Sequence, residues 1–185
     1  MSPSKRRPPD LPALFRVLAE HRVAYVVTGS AAALLLGVDL TPGDLDIVPG
    51  LDRANLTRLA AALATIDARP DPDGPFGDWQ MGPDGEQRWI EREPRPGERE
   101  ARLDWQPDPA DPASFDHLLG TRFGALDVAP EVSGRYAELV GRAEPVRAFG
   151  LEILAASIAD QLATLTVARR AKDRSRVEAL RQRQR

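Results

Sequence analysis

The sequence contains no cysteine, which excludes disulfides and thiolate zinc sites. Histidine is nearly as scarce: His21 and His117 are the two copies, far apart in the chain. They suggest neither a histidine-rich metal site nor a histidine relay. Any metal would therefore be a hard cation on oxygen ligands, meaning magnesium, manganese or calcium. Long apolar runs are missing too. No window approaches the roughly 18 to 20 apolar residues of a membrane span. The basic, proline-rich start MSPSKRRPPD is not followed by an apolar stretch of signal-sequence type. A cytoplasmic location is the expectation, with no membrane partner.

What is present suits a folded domain. The 185 residues, 42% of them hydrophobic, can bury a real core. The net charge of −3 is unevenly spread. Residues 71–116 hold thirteen acids against five arginines, a local balance of −8, whereas residues 169–185 hold eight basic residues against Asp173 and Glu178, a balance of +6. Such a basic tail suits a polyanion, or equally a solvated helix face.

Local patterns alternate between helix and strand, which predicts an α/β (α+β) domain with a mixed β-sheet flanked by helices. Leu11, Leu14, Phe15 and Leu18 share one face of a helix over 11–21. Val23–Thr28 reads as a buried strand, broken at Gly29-Ser30, after which AAALLLG continues as a helix ending at Gly37. A second strand is expected over Asp44–Val48, then a helix over 52–66 capped by Asp52. Nine of the seventeen prolines and all three tryptophans fall in 69–116. That stretch reads as an irregular excursion with short strands at Gln87–Ile90 and Ala101–Trp105. Strands follow at Phe123–Val128, Val146–Phe149 and Leu151–Leu154, with a short helix around Arg135–Val140. Ser157-Ile-Ala-Asp160 has capping-box form and opens a C-terminal helical segment, 156–185, ending in a basic helix from about Asp173. Residues 1–155 would form the main domain.

Two short motifs carry chemistry. Asp44 and Asp46 flank Leu45 on a predicted strand, so their carboxylates would point to one face. Like charges so placed repel unless a cation joins them, which suits Mg²⁺ (or Mn²⁺) shared with substrate phosphates. Upstream, Gly29-Ser30 ends a strand and opens a helix, where backbone amides and the Ser30 hydroxyl would cradle a phosphate. A plain strand-to-helix turn is the alternative for that pair alone.

Together these motifs resemble the nucleotidyltransferase superfamily that includes DNA polymerase β-like enzymes, and especially its small bacterial members. The pattern there is an apolar residue, Gly, Gly or Ser, a spacer, then Asp-apolar-Asp-apolar. Here it reads Thr28-Gly29-Ser30 and Asp44-Leu45-Asp46-Ile47, with threonine standing in the apolar position. The resemblance covers roughly 11–66 and 118–180, with 67–117 divergent. It implies the nucleotidyltransferase fold, nucleotide binding at Gly29 and Ser30, and metal ligation by Asp44 and Asp46. It also implies a third carboxylate, for which Asp127 (in TRFGALDVAP) and Asp104 (in ARLDW) are the candidates, Asp127 being preferred. Asp127 would also accept the proton of an attacking hydroxyl. Lys172 would meet phosphate as a point charge, or belong to the solvated basic helix.

The activity so implied is transfer of an NMP group from an NTP to a hydroxyl acceptor: tRNA or other RNA, a partner protein, or a small hydroxylated molecule. Several small bacterial members of the superfamily belong to toxin–antitoxin pairs. The alternative is a non-catalytic module of the same fold, an antitoxin-like partner, with Trp79, Trp89 and Trp105 in the acidic region as a protein-binding surface.

Overall fold

A computed structural model of the chain describes residues 8–71, 75–83, 87–130, 134–165 and 171–184. The chain forms helices α1 (Leu11–Glu20), α2 (Gly29–Leu35), α3 (Arg53–Thr65), α4 (Glu98–Leu103), α5 (Tyr136–Leu139), α6 (Ile158–Thr164) and α7 (Ala171–Arg183), with a 3₁₀ turn at Pro112–Phe115. The strands are β1 (Tyr25–Thr28), β2 (Leu45–Pro49), β3 (Arg69–Pro70), β4 (Phe76–Met81), β5 (Gln87–Arg92), β6 (His117–Thr121), β7 (Gly124–Val128), β8 (Glu144–Ala148) and β9 (Leu151–Ala155). Seven strands make one mixed sheet in the order β3-β6-β7-β2-β1-β9-β8, and β4 and β5 pair as a separate hairpin. The fold is thus a mixed α/β sheet flanked by helices, as its alternating patterns predict. Among the described residues, no helix is long and apolar enough to cross a membrane.

Two faces of this sheet differ. Leu45 and Ile47 of β2, Leu126 and Val128 of β7, and Val27 of β1 point into the main core. There they meet Leu11, Leu14, Phe15 and Leu18 of α1 and Leu56, Leu59 and Leu63 of α3. Full burial of each such side chain stabilises the fold by roughly 1.5–3 kcal/mol. Asp52 caps α3 by accepting from the Asn55 amide at 2.9 Å, as its position ahead of that helix predicts. On the opposite face, Val26, Val48, Leu139 and Ala156 form a much smaller cluster under α5. Strand alternation sends Thr28, Asp46 and Asp127 to this sparsely covered face.

The acidic excursion is more ordered than its composition suggests. β3 joins the edge of the main sheet through β6, and Phe115 is fully buried in the main core. The hairpin is tied to α4 by Arg92, which donates to Asp78 at 2.9 Å and to Glu98 at 2.7 Å. Residues 101–103, expected as strand, end α4 instead: EREARL is rich in helix formers, and the Arg92–Glu98 pair fixes its first turn. The Trp105 indole donates to the Ser114 carbonyl at 3.2 Å and meets the His117 ring edge-on. It therefore packs against the fold. Trp79 and Trp89 face each other across the hairpin register, but their side chains lie outside the described residues.

The basic C-terminal helix is docked. Leu180 is fully buried beside Ala33 and Val38, and the Arg183 guanidinium donates to the Leu36 carbonyl at 3.0 Å. A cation on the last carbonyls of α2 is favourable for the helix.

Candidate active site

β1 and β2 run antiparallel with Thr28 opposite Asp46. β2 and β7 run parallel with Asp46 beside Asp127. Thr28, Asp46 and Asp127 consequently form one row across three neighbouring strands, each strand about 4.8 Å from the next. The row sits where β1 hands over to α2. Both aspartates are half-buried, held by the buried residues on either side of them in β2 and β7.

Gly29 explains how the glycine–serine turn and the aspartates belong together. Its φ is +69°, and a Cβ built on it would stand 1.8 Å from Oδ2 of Asp46 and 2.5 Å from its Cγ. The Asp46 carboxylate thus rests against the Gly29 backbone, a contact that a side chain at 29 would abolish. Ser30 follows, half-buried, in the first turn of α2. Since α2 has seven residues, its dipole is short, and the site's electrostatics rest chiefly on the carboxylates.

The remaining candidates are dispersed. Asp44 is half-buried in the bend before β2, which begins at Leu45 and not at Asp44 as the sequence pattern suggested. The turn at Thr41-Pro42-Gly43 extends one residue further than expected, so strand alternation does not fix the direction of Asp44. Asp104 is exposed at the end of α4, which contacts β3 at the sheet edge. It is outside the row that holds Asp46 and Asp127. Lys172 is the second residue of α7, and its side chain lies outside the described residues. Asp160 lies in the first turn of α6, which Ser157 caps: the Ser157 hydroxyl donates to its carboxylate at 2.7 Å, and Arg142 donates to it at 2.9 Å. Partial burial pushes the Asp160 carboxyl up, but those bonds outweigh it and leave the group below its usual value.

The donor set fits a small hard cation that is completed by a ligand. Among the described residues, no three histidine, aspartate or glutamate groups converge closely enough to cage an ion. Mg²⁺ does not need such a cage, because it binds through one or two carboxylates plus waters and substrate phosphates. Asp46 and Asp127, in register on one face, meet that requirement. Two carboxylates on adjacent strands repel unless a cation, metal or basic side chain, stands by them.

Thr28 is the residue that pattern reading passed over. Its departure from the apolar position ahead of Gly29-Ser30 was the available signal. No family model matches the chain, and no curated protein matches it at a significant level.

Proposed function

We propose that this chain is a metal-dependent nucleotidyltransferase that transfers an NMP group from an NTP to a hydroxyl acceptor. The observation that carries this reading is the in-register Asp46–Asp127 pair with the Gly29 backbone against Asp46. Asp46 and Asp127, with Asp44 at the mouth of β2, would hold Mg²⁺ or Mn²⁺. Bound there, the ion would supply charge neutralisation at the phosphates. Gly29 and Ser30 lie where the triphosphate would run, with Lys172 as a further phosphate contact. The acceptor oxygen bonds to the α-phosphorus, the bond from that phosphorus to pyrophosphate breaks, and pyrophosphate leaves with the electron pair. Asp127 accepts the proton of the acceptor hydroxyl. Catalysis is mainly positioning and electrostatic complementarity. The cytoplasm, where NTPs abound, is the location this reading requires.

The test is a melting scan with ATP, CTP, GTP and UTP, each with and without Mg²⁺. Metal-dependent stabilisation by a nucleotide is expected, and its loss in Asp46→Asn. Labelled NTPs incubated with lysate, tRNA and small hydroxylated molecules would then identify the acceptor. A second reading is favoured by the lack of a closed three-acid group among the described residues. It is a non-catalytic module of the same fold that binds a partner protein, and it expects no stabilisation by any of the four nucleotides.

A further inference from the structure

Thr28 is 5% exposed, closes β1, and stands opposite Asp46 in the row that continues to Asp127. It is also the N-cap of α2. A threonine there ordinarily accepts a hydrogen bond from the second or third helical amide. Thr28 makes no such bond, and no other hydrogen bond of its hydroxyl is found among the described residues. The Thr28 hydroxyl is not among the described buried side-chain atoms that lack a partner, so it reaches solvent at this row, where a ligand can meet it. The residues before it in β1, Val26 and Val27, are fully buried and apolar. A hydroxyl at the end of this apolar run, open to solvent and capping no amide of α2, calls for an explanation beyond packing.

Its neighbours supply one. The carboxylates of Asp46 and Asp127 are acceptors, whereas the Thr28 hydroxyl can donate. A ligand that brings only acceptor oxygens to this row would take that proton, and a phosphate is such a ligand. The buried oxygen left without a partner among the described residues, Oε1 of Gln161, has the opposite chemistry. Gln161 uses its amide nitrogen on the Ala156 carbonyl at 2.9 Å, and its free oxygen accepts, so it offers a phosphate nothing.

We propose that Thr28 is a substrate-contacting residue whose hydroxyl donates to a phosphate oxygen of the nucleotide held over Asp46 and Asp127. This inference rests on the nucleotide-site reading above. It makes the row a binding surface of mixed character, two acceptors for a cation and one donor for the phosphate chain beside it.

The test compares Thr28→Val, which keeps the shape and removes the hydroxyl, with Thr28→Ser, which keeps the hydroxyl. Ligand-free melting of Thr28→Val should match or exceed that of the native chain, because the hydroxyl caps no amide of α2 and the variant keeps the shape. Calorimetric titration with ATP, CTP, GTP, UTP and inorganic tripolyphosphate, each with Mg²⁺, should show Thr28→Val weakened by roughly tenfold or more for every ligand that the native chain binds, the size of a hydrogen bond to a charged acceptor. Thr28→Ser should stay within about threefold of native, since the donor is kept. Native-like affinity in Thr28→Val overturns the proposal. So does a lowered ligand-free melting temperature in that variant, which would make Thr28 a structural cap. If the native chain binds none of the ligands and Asp46→Asn behaves identically, the nucleotide-site reading has failed and Thr28's role falls with it. If binding is lost in Asp46→Asn and unchanged in Thr28→Val, only the role of Thr28 falls.

Discussion

Gly29 and Asp46 are in contact so close that a single methyl group cannot be placed between them: a Cβ at 29 would overlap Oδ2 of Asp46 at 1.8 Å. Two short motifs, with thirteen residues between them in the sequence, thereby become one piece of structure. Gly29→Ala is expected to be costly on two grounds. A left-handed backbone alone costs an L-residue about 1–2 kcal/mol, and the added methyl must displace the carboxylate. Urea unfolding should show a loss above that range. The double variant Gly29→Ala/Asp46→Gly should recover part of it, because the two residues share one space. Simple additivity of the two single variants would mean that the contact carries no energy.

Asp46→Asn and Asp127→Asn should each leave the melting temperature within a few degrees of native, because both side chains are half-exposed on the sparsely covered face. Both should lose metal-dependent nucleotide stabilisation. Asp104→Asn, exposed at the end of α4, should keep it. The opposite ranking of Asp127 and Asp104 would move the third carboxylate into the acidic excursion.

What the sequence made legible was local. The 3.6-residue spacing of Leu11, Leu14, Phe15 and Leu18 predicts a buried helix face, and all four are buried in α1. The cap of α3 and the break at Gly29 follow from similar short-range chemistry. Where interactions are non-local, pattern reading fell short. β6 escaped notice because HLLGT carries one β-branched residue, and it becomes a strand by pairing with β7 on one side and β3 on the other. The adjacency of Asp46 and Asp127 depends on β7 docking parallel beside β2, some eighty residues away in sequence. The motif TRFGALDVAP pointed to Asp127, but nothing in its spacing gave the register. Asp44 was assigned to a strand that begins one residue later.

Asn55 is fully buried and braces the base of β1 and the end of β2. Its side-chain oxygen accepts from the Ala24 amide at 2.7 Å, and its nitrogen donates to the carbonyls of Ala24 and Gly50, both at 2.8 Å. Asn55→Leu would leave the Ala24 amide and the Gly50 carbonyl without this partner, while the Ala24 carbonyl keeps the Gly50 amide at 2.9 Å. At roughly 1–3 kcal/mol for each unsatisfied group, the expected loss is about 2 kcal/mol or more. Chemical denaturation measures it. A loss below about 1 kcal/mol would show that water replaces the amide.

Acid should lower the stability of the chain in two stages. His117 is half-buried against Trp105. Burial pushes its pKa below the usual 6.5, Asp116 pulls it up, and Arg102 adds to the lowering. Because the folded value is the lower one, His117 contributes fully above about pH 6.5, and that contribution is lost as the pH falls through the folded value. Glu98 titrates lower. The Arg92 hydrogen bond, helped by the Arg95 amide, holds it at about 2 against an ordinary 4.5. Its contribution is complete above 4.5 and is lost as the pH falls toward 2. Melting temperatures followed by circular dichroism from pH 8 to pH 3, at constant ionic strength, should therefore decline first below about 6.5 and again below about 4.5. His117→Gln should remove the first decline and spare the second. Glu98→Gln should weaken the second without abolishing it, since Asp78 and Asp160 are also held below their usual values. An unchanged first decline in His117→Gln would assign it to another group.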